Sequence, residues 1–444
     1  MRQDKRFQPG SSADFQCIGP ACEDSCCEDW TIPVDREAVA KYRNLPAGPL
    51  RSMLDASMEP EPASDSPHAA FAHIRMNAEH KCPLLSGEGL CRIQLECGEA
   101  FLPSTCARFP RLSYSIGGVQ ETVLSLSCPE AARKVLLHPL RLVETDLDGK
   151  GRTGAAPDGD PLQPFFWPLR DAALALVQNR AYPLWQRLIL LSLLGRRFDA
   201  LAPGDRPRRV PQLLANFRAG PASAQMLAAL DRLPADPAQQ LDLVLLLAGI
   251  LLHDSRPRPR FVECIQAFAA GIGNGAGATL ASLTARYSEA GQRYFAPFFE
   301  RHPHLLENYL VNALFRSRFP FGRAWATSGA APSVARESTL LIAQFALMKG
   351  LLIGVAGFHR EGFSPEHVVH TIQSASRYFE HHTEFLQRAH NLLVEKRMDG
   401  LGGSSILLRS GPASAQAPVR LALPAPAPAG PAAGRQIPAR LAEE

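Results

Sequence analysis

The sequence predicts a mainly α-helical protein with an N-terminal, cysteine-rich, metal-bound module and a disordered C-terminal tail. Nine of the ten cysteines lie before residue 129 of the 444-residue chain. From about residue 165 to 400, apolar residues recur at intervals of three and four, which is typical of helices. Residues 410–444 are rich in Pro and Ala. We therefore expect a module of short helices and loops at 14–140, an all-helical domain at 165–400 and a disordered tail at 410–444.

The densest group of cysteines is the run CIGPACEDSCC, which contains Cys17, Cys22, Cys26 and Cys27. The chain is long, and its first residues lack the apolar segment of a secretory signal. These two features predict a cytoplasmic, reducing location, where disulfide bonds are rare. In that setting, clustered cysteines are typical of metal or cluster ligation.

The spacing of these cysteines leaves two kinds of metal centre open. Structural zinc sites usually show two CxxC-like pairs, whereas here a C-x4-C pair precedes two adjacent cysteines. Because adjacent side chains are expected to diverge, Cys26 and Cys27 suit a multinuclear cluster or two neighbouring sites. Iron–sulfur clusters take thiolate ligands with varied spacing. The spacing therefore favours an iron–sulfur cluster as the metal centre, with zinc as the second possibility. The spacing CxxxCxxC is not met, because Asp29 stands at its third cysteine position.

The overall composition is that of an ordinary soluble globular protein, with 46% hydrophobic and 20% charged residues. The net charge of +4 is too small to indicate nucleic-acid binding. The apolar stretch 338–357 is long enough to cross a bilayer, but Gln344 and Lys349 lie near its middle. This pattern favours a buried helix, so we expect neither a nucleic-acid partner nor a membrane span.

Eight helices are predicted in the helical domain, with Pro or Gly at most junctions. They lie at 165–200, 208–232, 236–254, 258–270, 280–300, 302–316, 333–358 and 365–397. Residues 145–165, rich in Gly, Asp and Pro, predict a linker before them.

Within the cysteine module, the sequence predicts a short strand at 30–34 and a helix at 35–45 capped by Asp35. A second helix is predicted at 128–139, with Pro129 in its first turn. That helix would place Cys128 at a helix N-terminus, where the dipole favours a thiolate.

Several segments of the module match a known family in their order and approximate separations. These are residues 15–30, 74–77, 81–85, 89–94, 106–111 and 126–132, with weaker matches at 307–312, 319–321 and 376–382. On these residues the sequence resembles the flagellin lysine-N-methylase family, a group with clustered cysteines.

The resemblance implies transfer of methyl groups from S-adenosyl-L-methionine (SAM) to lysine side chains of flagellin. It also implies a cysteine-bound metal centre, either an iron–sulfur cluster of the 4Fe–4S type or zinc. The matching cysteines are Cys17, Cys22, Cys26, Cys27, Cys82, Cys91, Cys106 and Cys128. Cys97 and Cys264 do not match and receive no ligand role. The alternative is a non-catalytic structural or interaction protein whose cysteines bind metal or an iron–sulfur cluster only to hold the fold.

Two further motifs are better explained without a ligand. The glycine run GIGNGAG at 271–277 follows an apparent helix rather than a strand, so it predicts a helix–helix connection and not a nucleotide loop. Four histidines and two glutamates share one helical stretch but lack the HExxH pattern, which favours a polar helix face. They are His367, His370, His381, His382, Glu380 and Glu384.

Methyl transfer to lysine requires a proton acceptor, because the reference pKa of lysine is about 10.4. The sequence offers Glu99, Glu130, Glu307 and Tyr309 as candidates without selecting among them. Glu307 and Tyr309 are also candidates for polar groups of a pocket.

Overall fold

The computed structural model describes residues 5–61, 70–116, 119–146, 160–218, 229–253, 258–326, 332–380 and 383–410. The predicted tail lies outside the described residues apart from Ser410, and so does most of the predicted linker.

Helices dominate the described part of the chain. In the N-terminal region they are α1 (Gly10–Ala13), α2 (Arg36–Arg43), α3 (Pro49–Ser57), α4 (Arg92–Cys97), α5 (Ser104–Arg108) and α6 (Pro129–Leu137). The helical body follows with α7 (Gln163–Gln178), α8 (Leu184–Asp199), α9 (Arg206–Arg218), α10 (Pro237–His253), α11 (Pro259–Gly271), α12 (Leu280–Ala290), α13 (Ala296–Arg301), α14 (Pro303–Arg316), α15 (Val334–His359), α16 (Pro365–Phe379), α17 (Thr383–Glu395) and α18 (Leu401–Leu408). The predicted mainly helical architecture is confirmed.

The predicted helices are subdivided where the backbone requires it. The segment 165–200 breaks before Pro183, which stands at the N-cap of α8 and cannot continue a preceding helix. A π-helical segment, Gly291–Phe295, separates α12 from α13. Helix α18 was not predicted, because Gly402 and Gly403 lower its helix propensity. It forms because its apolar residues, including Leu407, pack into the core.

Two small sheets make the N-terminal region less loop-like than predicted. The strands are β1 (Lys5–Pro9), β2 (Ile32–Val34), β3 (Met58–Pro60), β4 (Ala72–Ile74), β5 (Arg111–Ile116), β6 (Val119–Leu124) and β7 (Leu142–Asp146). One sheet has the antiparallel order β2-β4-β3, and the other has the order β5-β6-β1-β7, in which β1 runs parallel to β6. The short strand expected near residue 32 is confirmed as β2.

The hairpin β5–β6 escaped prediction because β6 is buried along its whole length. Its sequence VQETVL carries Gln120, Glu121 and Thr122 in the middle, so neither an alternating nor a continuous apolar pattern is visible. By contrast, the cap of α2 was predicted correctly, since Asp35 Oδ1 accepts a hydrogen bond from Ala38 N at 2.9 Å.

The hydrophobic residues form two cores. The smaller core lies in the cysteine-rich region around Val34, Leu54 and Leu84, whereas the larger core runs through the helical body and also takes in β5, β6 and α6. Helix α15 forms the centre of the larger core. It belongs to a 29-residue helical segment that is long and apolar enough to cross a membrane, but 89% of its most apolar window is buried inside the protein. It is therefore a core helix, as predicted.

Helices α11 and α15 cross with their backbones in direct contact. A Cβ added at Gly271 would lie 1.8 Å from the carbonyl oxygen of Gly354, so no side chain fits at this position. Gly271 ends α11, and residues 272–279 then connect to α12. The glycine run is thus a helix–helix connection, as predicted.

A fully buried ion pair joins the larger sheet to the helices. Arg170 of α7 donates to Glu121 of β6 at 2.8 Å, and both side chains are 0% exposed. Arg170 Nε also donates to the carbonyl oxygen of Phe319 at 2.6 Å. Its guanidinium stands 5.0 Å from the ring centroids of both Phe166 and Phe315. Aromatic faces and hydrogen bonds therefore replace the water that this charge has lost.

The substitution Arg170→Met is expected to lower the free energy of unfolding by about 3–5 kcal/mol, because it removes the ion pair from a buried carboxylate. Urea denaturation followed by circular dichroism measures this change. Arg293→Met is the matched control. Arg293 and its partner Glu289 are both 62% exposed, so the control should cost less than about 1 kcal/mol. Similar midpoints for the two variants would contradict the role assigned to Arg170.

Candidate functional site

Five of the eight predicted cysteine ligands are linked by a backbone contact or by mutual effects on their pKa values. We call Cys26, Cys27, Cys82, Cys91 and Cys106 the thiol cluster. The backbone N–H of Cys82 donates to the carbonyl oxygen of Cys27 at 2.8 Å, which joins the two cysteine segments. Burial and then the charges of Cys91, Cys26 and Cys82 raise the pKa of Cys106, so these side chains interact electrostatically.

The adjacent cysteines do not diverge as expected. A hydrogen bond between their side chains lowers the pKa of Cys26 to about 7 and raises the pKa of Cys27. The positive charge of Arg377 also favours the Cys26 thiolate. Cys26 is therefore the member of this pair that ionises near neutral pH.

The other three predicted ligands lie at the edge of this group. Cys17 is exposed, and its sulfur accepts a hydrogen bond from Gly19 N at 3.4 Å. Cys22 donates to the carbonyl oxygen of Asp24 at 3.5 Å. Cys128 stands at the N-cap of α6 as predicted, and the metal-free thiol there is protonated at neutral pH. Burial raises its pKa to about 12, outweighing the hydrogen bonds from the backbone of α6.

All ten cysteines have free thiols. Within the described residues, no three or more His, Cys, Asp or Glu side chains are grouped as metal ligands. Ligation by the eight cysteines therefore stays a prediction. The donor type nevertheless fits, because reduced sulfur is what zinc and iron–sulfur clusters bind. Cys264 lies apart in α11, where burial raises its pKa to about 11 and its side chain hydrogen-bonds Thr371 and Ser374.

The loop that carries Cys26 and Cys27 is held against the helical body by Arg258. Its guanidinium lies 2.6 Å from Asp24 Oδ1 and 3.0 Å from Asp29 Oδ2, and it also pairs with Glu28. Only 10% of the Arg258 side chain is exposed. Poor hydration makes these contacts stronger than a surface ion pair.

Two residues of α16 complete this attachment, which we call the loop clamp together with Arg258. Arg377 donates to the carbonyl oxygens of Ser25 at 2.7 Å and Glu28 at 3.0 Å. Gln373 donates to Asp24 Oδ2 at 2.7 Å. The loop clamp therefore fixes both the backbone and the acidic side chains of the cysteine loop.

The substitution Arg258→Gln is expected to speed amide hydrogen exchange across residues 22–30 by at least tenfold, because Asp24, Glu28 and Asp29 lose their ion pairs with Arg258. The matched control is Arg388→Gln, which removes a surface i,i+4 pair with Glu384 and leaves the loop untouched. Hydrogen–deuterium exchange with mass spectrometry resolves the two regions. Unchanged protection of the loop in Arg258→Gln would show that the loop clamp does not hold it.

A cavity of about 300 Å³ lies between α14, α15, α16 and α17. Its lining combines apolar residues with arginine, glutamate and uncharged polar residues. The lining residues are Leu126, Tyr309, Asn312, Ala313, Arg316, Ser317, Arg323, Arg336, Glu337, Leu340, Gln344, Ser376, Phe379, Glu380, Leu386 and Gln387. The lining includes described residues of two weakly family-like segments, from 307–312 and from 376–380.

The two carboxyl groups of the cavity differ in their surroundings. Glu380 accepts hydrogen bonds from Ser125 and from Leu126 N, and it lies 3.2 Å from Arg316. Glu337 lies 3.3 Å from Arg336. Burial raises the pKa of Glu337 to about 7, with Arg336 opposing the shift. Glu337 can therefore gain and lose a proton near neutral pH.

Of the four predicted proton acceptors, the structure brings Tyr309 to this cavity. Glu307 is instead paired with Arg180 and Arg187, each at 3.0 Å. Glu130 pairs with Arg133 at 2.8 Å and Glu99 is exposed. Glu337 was missed, because an acidic residue in the first turn of a helix is ordinarily explained by the helix dipole.

The two described histidines of the candidate polar face have separate partners. His367 accepts a hydrogen bond from Ser364 N at the start of α16, at 3.1 Å. His370 lies 3.8 Å from Glu263 of α11. His381 and His382 lie outside the described residues.

The sequence profile of the FliB lysine N-methylase C-terminal domain matches residues 170–407, more than half of the chain. The chain belongs to the FliB lysine N-methylase family. The predicted family is thereby confirmed. The matched region contains every lining residue of the cavity except Leu126.

Three curated relatives are each 31% identical to the chain over 140 residues, which is 31% of its length. One is the flagellar biosynthetic protein FliU of Salmonella muenchen, of which the match covers 81%. The others are lysine-N-methylases of Salmonella choleraesuis and Salmonella typhimurium, of which it covers 34% each. The chain thus matches about a third of the length of these two enzymes. No solved structure matches.

Proposed function

We propose that this chain is a SAM-dependent protein lysine N-methyltransferase that acts on flagellin in the cytoplasm. The observation that carries the proposal is the family match over residues 170–407, which supply nearly all of the cavity. The names of the relatives add support, since they are a flagellar biosynthetic protein and two lysine-N-methylases.

The cavity suits this chemistry better than the module does. Methyl transfer from a sulfonium to an amine needs in-line positioning and removal of a proton from the lysine. Leu340, Phe379 and Leu386 give the cavity an apolar wall, and Glu337 is poised to exchange a proton.

We further propose that the module binds an iron–sulfur cluster or zinc through Cys17, Cys22, Cys26, Cys27, Cys82, Cys91, Cys106 and Cys128. The five members of the thiol cluster support this, together with the free state of every thiol. When bound, such a centre would supply folding energy or an open iron site for the amino and carboxylate groups of SAM.

Protein purified without oxygen is expected to contain stoichiometric iron or zinc by elemental analysis. A visible absorption band would identify an iron–sulfur cluster. The substitution Cys26→Ser should remove most of this metal, because a lost ligand also removes folding energy. The matched control Cys264→Ser should retain the metal, since that thiol lies apart in α11. Equal metal loss in both variants, or a folded and active metal-free protein, would contradict the assignment.

Incubation of the holoprotein with SAM and flagellin should add mass in steps of one methyl group at lysine residues. Intact-mass and peptide mass spectrometry measure the products, and calorimetry with SAM and its demethylated product tests binding separately. If the holoprotein binds neither ligand and no lysine gains mass on flagellin or other surface proteins, the methylase proposal is wrong. The non-catalytic metal-binding alternative would then stand.

A further inference from the structure

We propose that the acceptor lysine enters the cavity between α14 and α17, where Tyr309, Asn312 and Ser376 bind its amine and Glu337 takes its proton. This assignment rests on the proposed lysine methylation. It names the site of that reaction and a catalytic residue for it.

The first argument is the hydrogen-bonding capacity of the cavity. Tyr309 Oη, Asn312 Oδ1 and Ser376 Oγ are buried and have no hydrogen-bond partner within the described part of the chain. We call these three atoms the oxygen triad. None of the three residues is more than 2% exposed, and all three line the cavity. Buried polar atoms normally have partners, so three unsatisfied oxygens in one cavity indicate a ligand that donates hydrogen bonds.

The second argument is that the oxygen triad fits an amine rather than an acceptor-only group. Asn312 Nδ2 donates to the carbonyl oxygen of Leu124 at 3.0 Å, which turns Oδ1, an obligatory acceptor, away from that contact. Tyr309 lies three residues before Asn312, so both project from the same side of α14. Burial raises the pKa of Tyr309, which keeps its hydroxyl neutral. A lysine ammonium offers three N–H donors to these oxygens.

The third argument concerns charge. Three arginines and two glutamates line the cavity: Arg316, Arg323, Arg336, Glu337 and Glu380. Arg316 pairs with Glu380 and Arg336 pairs with Glu337, while Arg323 is exposed and its charge is solvated. With the buried charges paired, burial alone disfavours the ammonium, so a lysine held here loses its proton more readily than in water.

Glu337 is better suited than Glu380 to receive that proton. Ser125, Leu126 and Arg316 already engage the Glu380 carboxylate, which thereby joins α16 to the segment after β6. The described partner of Glu337 is Arg336 alone, and burial brings the pKa of Glu337 to about 7. Its carboxylate form accepts a proton, and the carboxylic acid that results is stable in the same surroundings.

The reaction then balances without a further reactant. The lysine ammonium gives one proton to the Glu337 carboxylate and becomes a neutral amine. The nitrogen lone pair forms a bond to the methyl carbon of SAM while the carbon–sulfur bond breaks. Its electron pair stays on sulfur, so the sulfonium becomes a neutral thioether and the product is a methylammonium.

The activity test uses Glu337→Gln in the holoprotein, with Glu384→Gln on the exposed face of α17 as the matched control. For the wild type, kcat/KM for a lysine peptide should rise with pH through about 7, because Glu337 loses its proton in that range. The titratable and charged groups that line the cavity with Glu337 are Arg316, Arg323, Arg336, Tyr309 and Glu380. Glu337→Gln should lose that rise and at least about 10²-fold in rate. SAM binding and metal content should match the wild type.

The binding test separates amine recognition from catalysis. Calorimetry without SAM compares a lysine peptide with the same peptide carrying norleucine, which has the same apolar chain but no amine. The wild type should prefer lysine, and Tyr309→Phe should reduce that preference by about tenfold, because one oxygen of the triad is lost. Affinity for the norleucine peptide should stay constant. Tyr182→Phe, remote from the cavity lining, is the control.

The outcomes distinguish the two proposals. A wild type that transfers methyl groups to no lysine contradicts the proposed function itself. A wild type that methylates lysine, with both Glu337→Gln and Tyr309→Phe behaving like their controls, overturns the site assignment and leaves the function intact. If Glu337→Gln fails to fold, the lysine–norleucine comparison with Tyr309→Phe decides the assignment.

Discussion

The structure depends on the contact between the acidic cysteine loop and the arginines of the helical body. Residues 22–31 include little regular structure, and the core of their region is small. Arg258 and Arg377 make most of the described contacts that hold this loop against the helical body, and Gln373 adds a hydrogen bond to Asp24. Helix α16 also carries Ser376 and Phe379 into the cavity. Since residues three and four apart share adjoining sides of a helix, one rigid element bears both the loop clamp and part of the cavity wall.

How far the fold can be read from the sequence depends on whether its stabilising contacts are local. The helices of the body follow from apolar periodicity, and the break before Pro183 follows from the missing N–H of proline. Strand β6 does not follow from either signal. Glu121 is buried there with its ion-pair partner Arg170, 49 positions away. A sequence window centred on β6 does not include Arg170, so the hairpin could not be predicted from local sequence.

The candidate site also has a part that the sequence predicts and a part that depends on tertiary contacts. Clustered cysteines can be recognised in the sequence by their residue type and density, but their role as metal ligands stays a prediction. The cavity is different, because Tyr309 and Glu307 look equivalent in the sequence while only Tyr309 faces it. Glu307 is neutralised by Arg180 and Arg187, which stand more than a hundred residues earlier. What marks Asn312 and Ser376 is that Asn312 Oδ1 and Ser376 Oγ have no hydrogen-bond partner in the described residues, a tertiary property that no motif records.

The unsatisfied oxygens also connect stability with selectivity. Each buried polar atom without a partner costs roughly 1–3 kcal/mol, and a buried carboxyl such as Glu337 adds to the cost of folding when it ionises. The extensive burial of α15 and the Arg170–Glu121 pair stabilise the fold elsewhere. The protein can therefore remain folded despite these local free-energy costs, as is usual at functional sites. An amine that enters the cavity satisfies these oxygens, whereas an apolar chain of the same shape leaves them unpaired. Such a site rejects the apolar chain more strongly than an apolar pocket rejects an analogue of its ligand. The reason is that binding of the apolar chain leaves buried oxygens of the protein without hydrogen bonds.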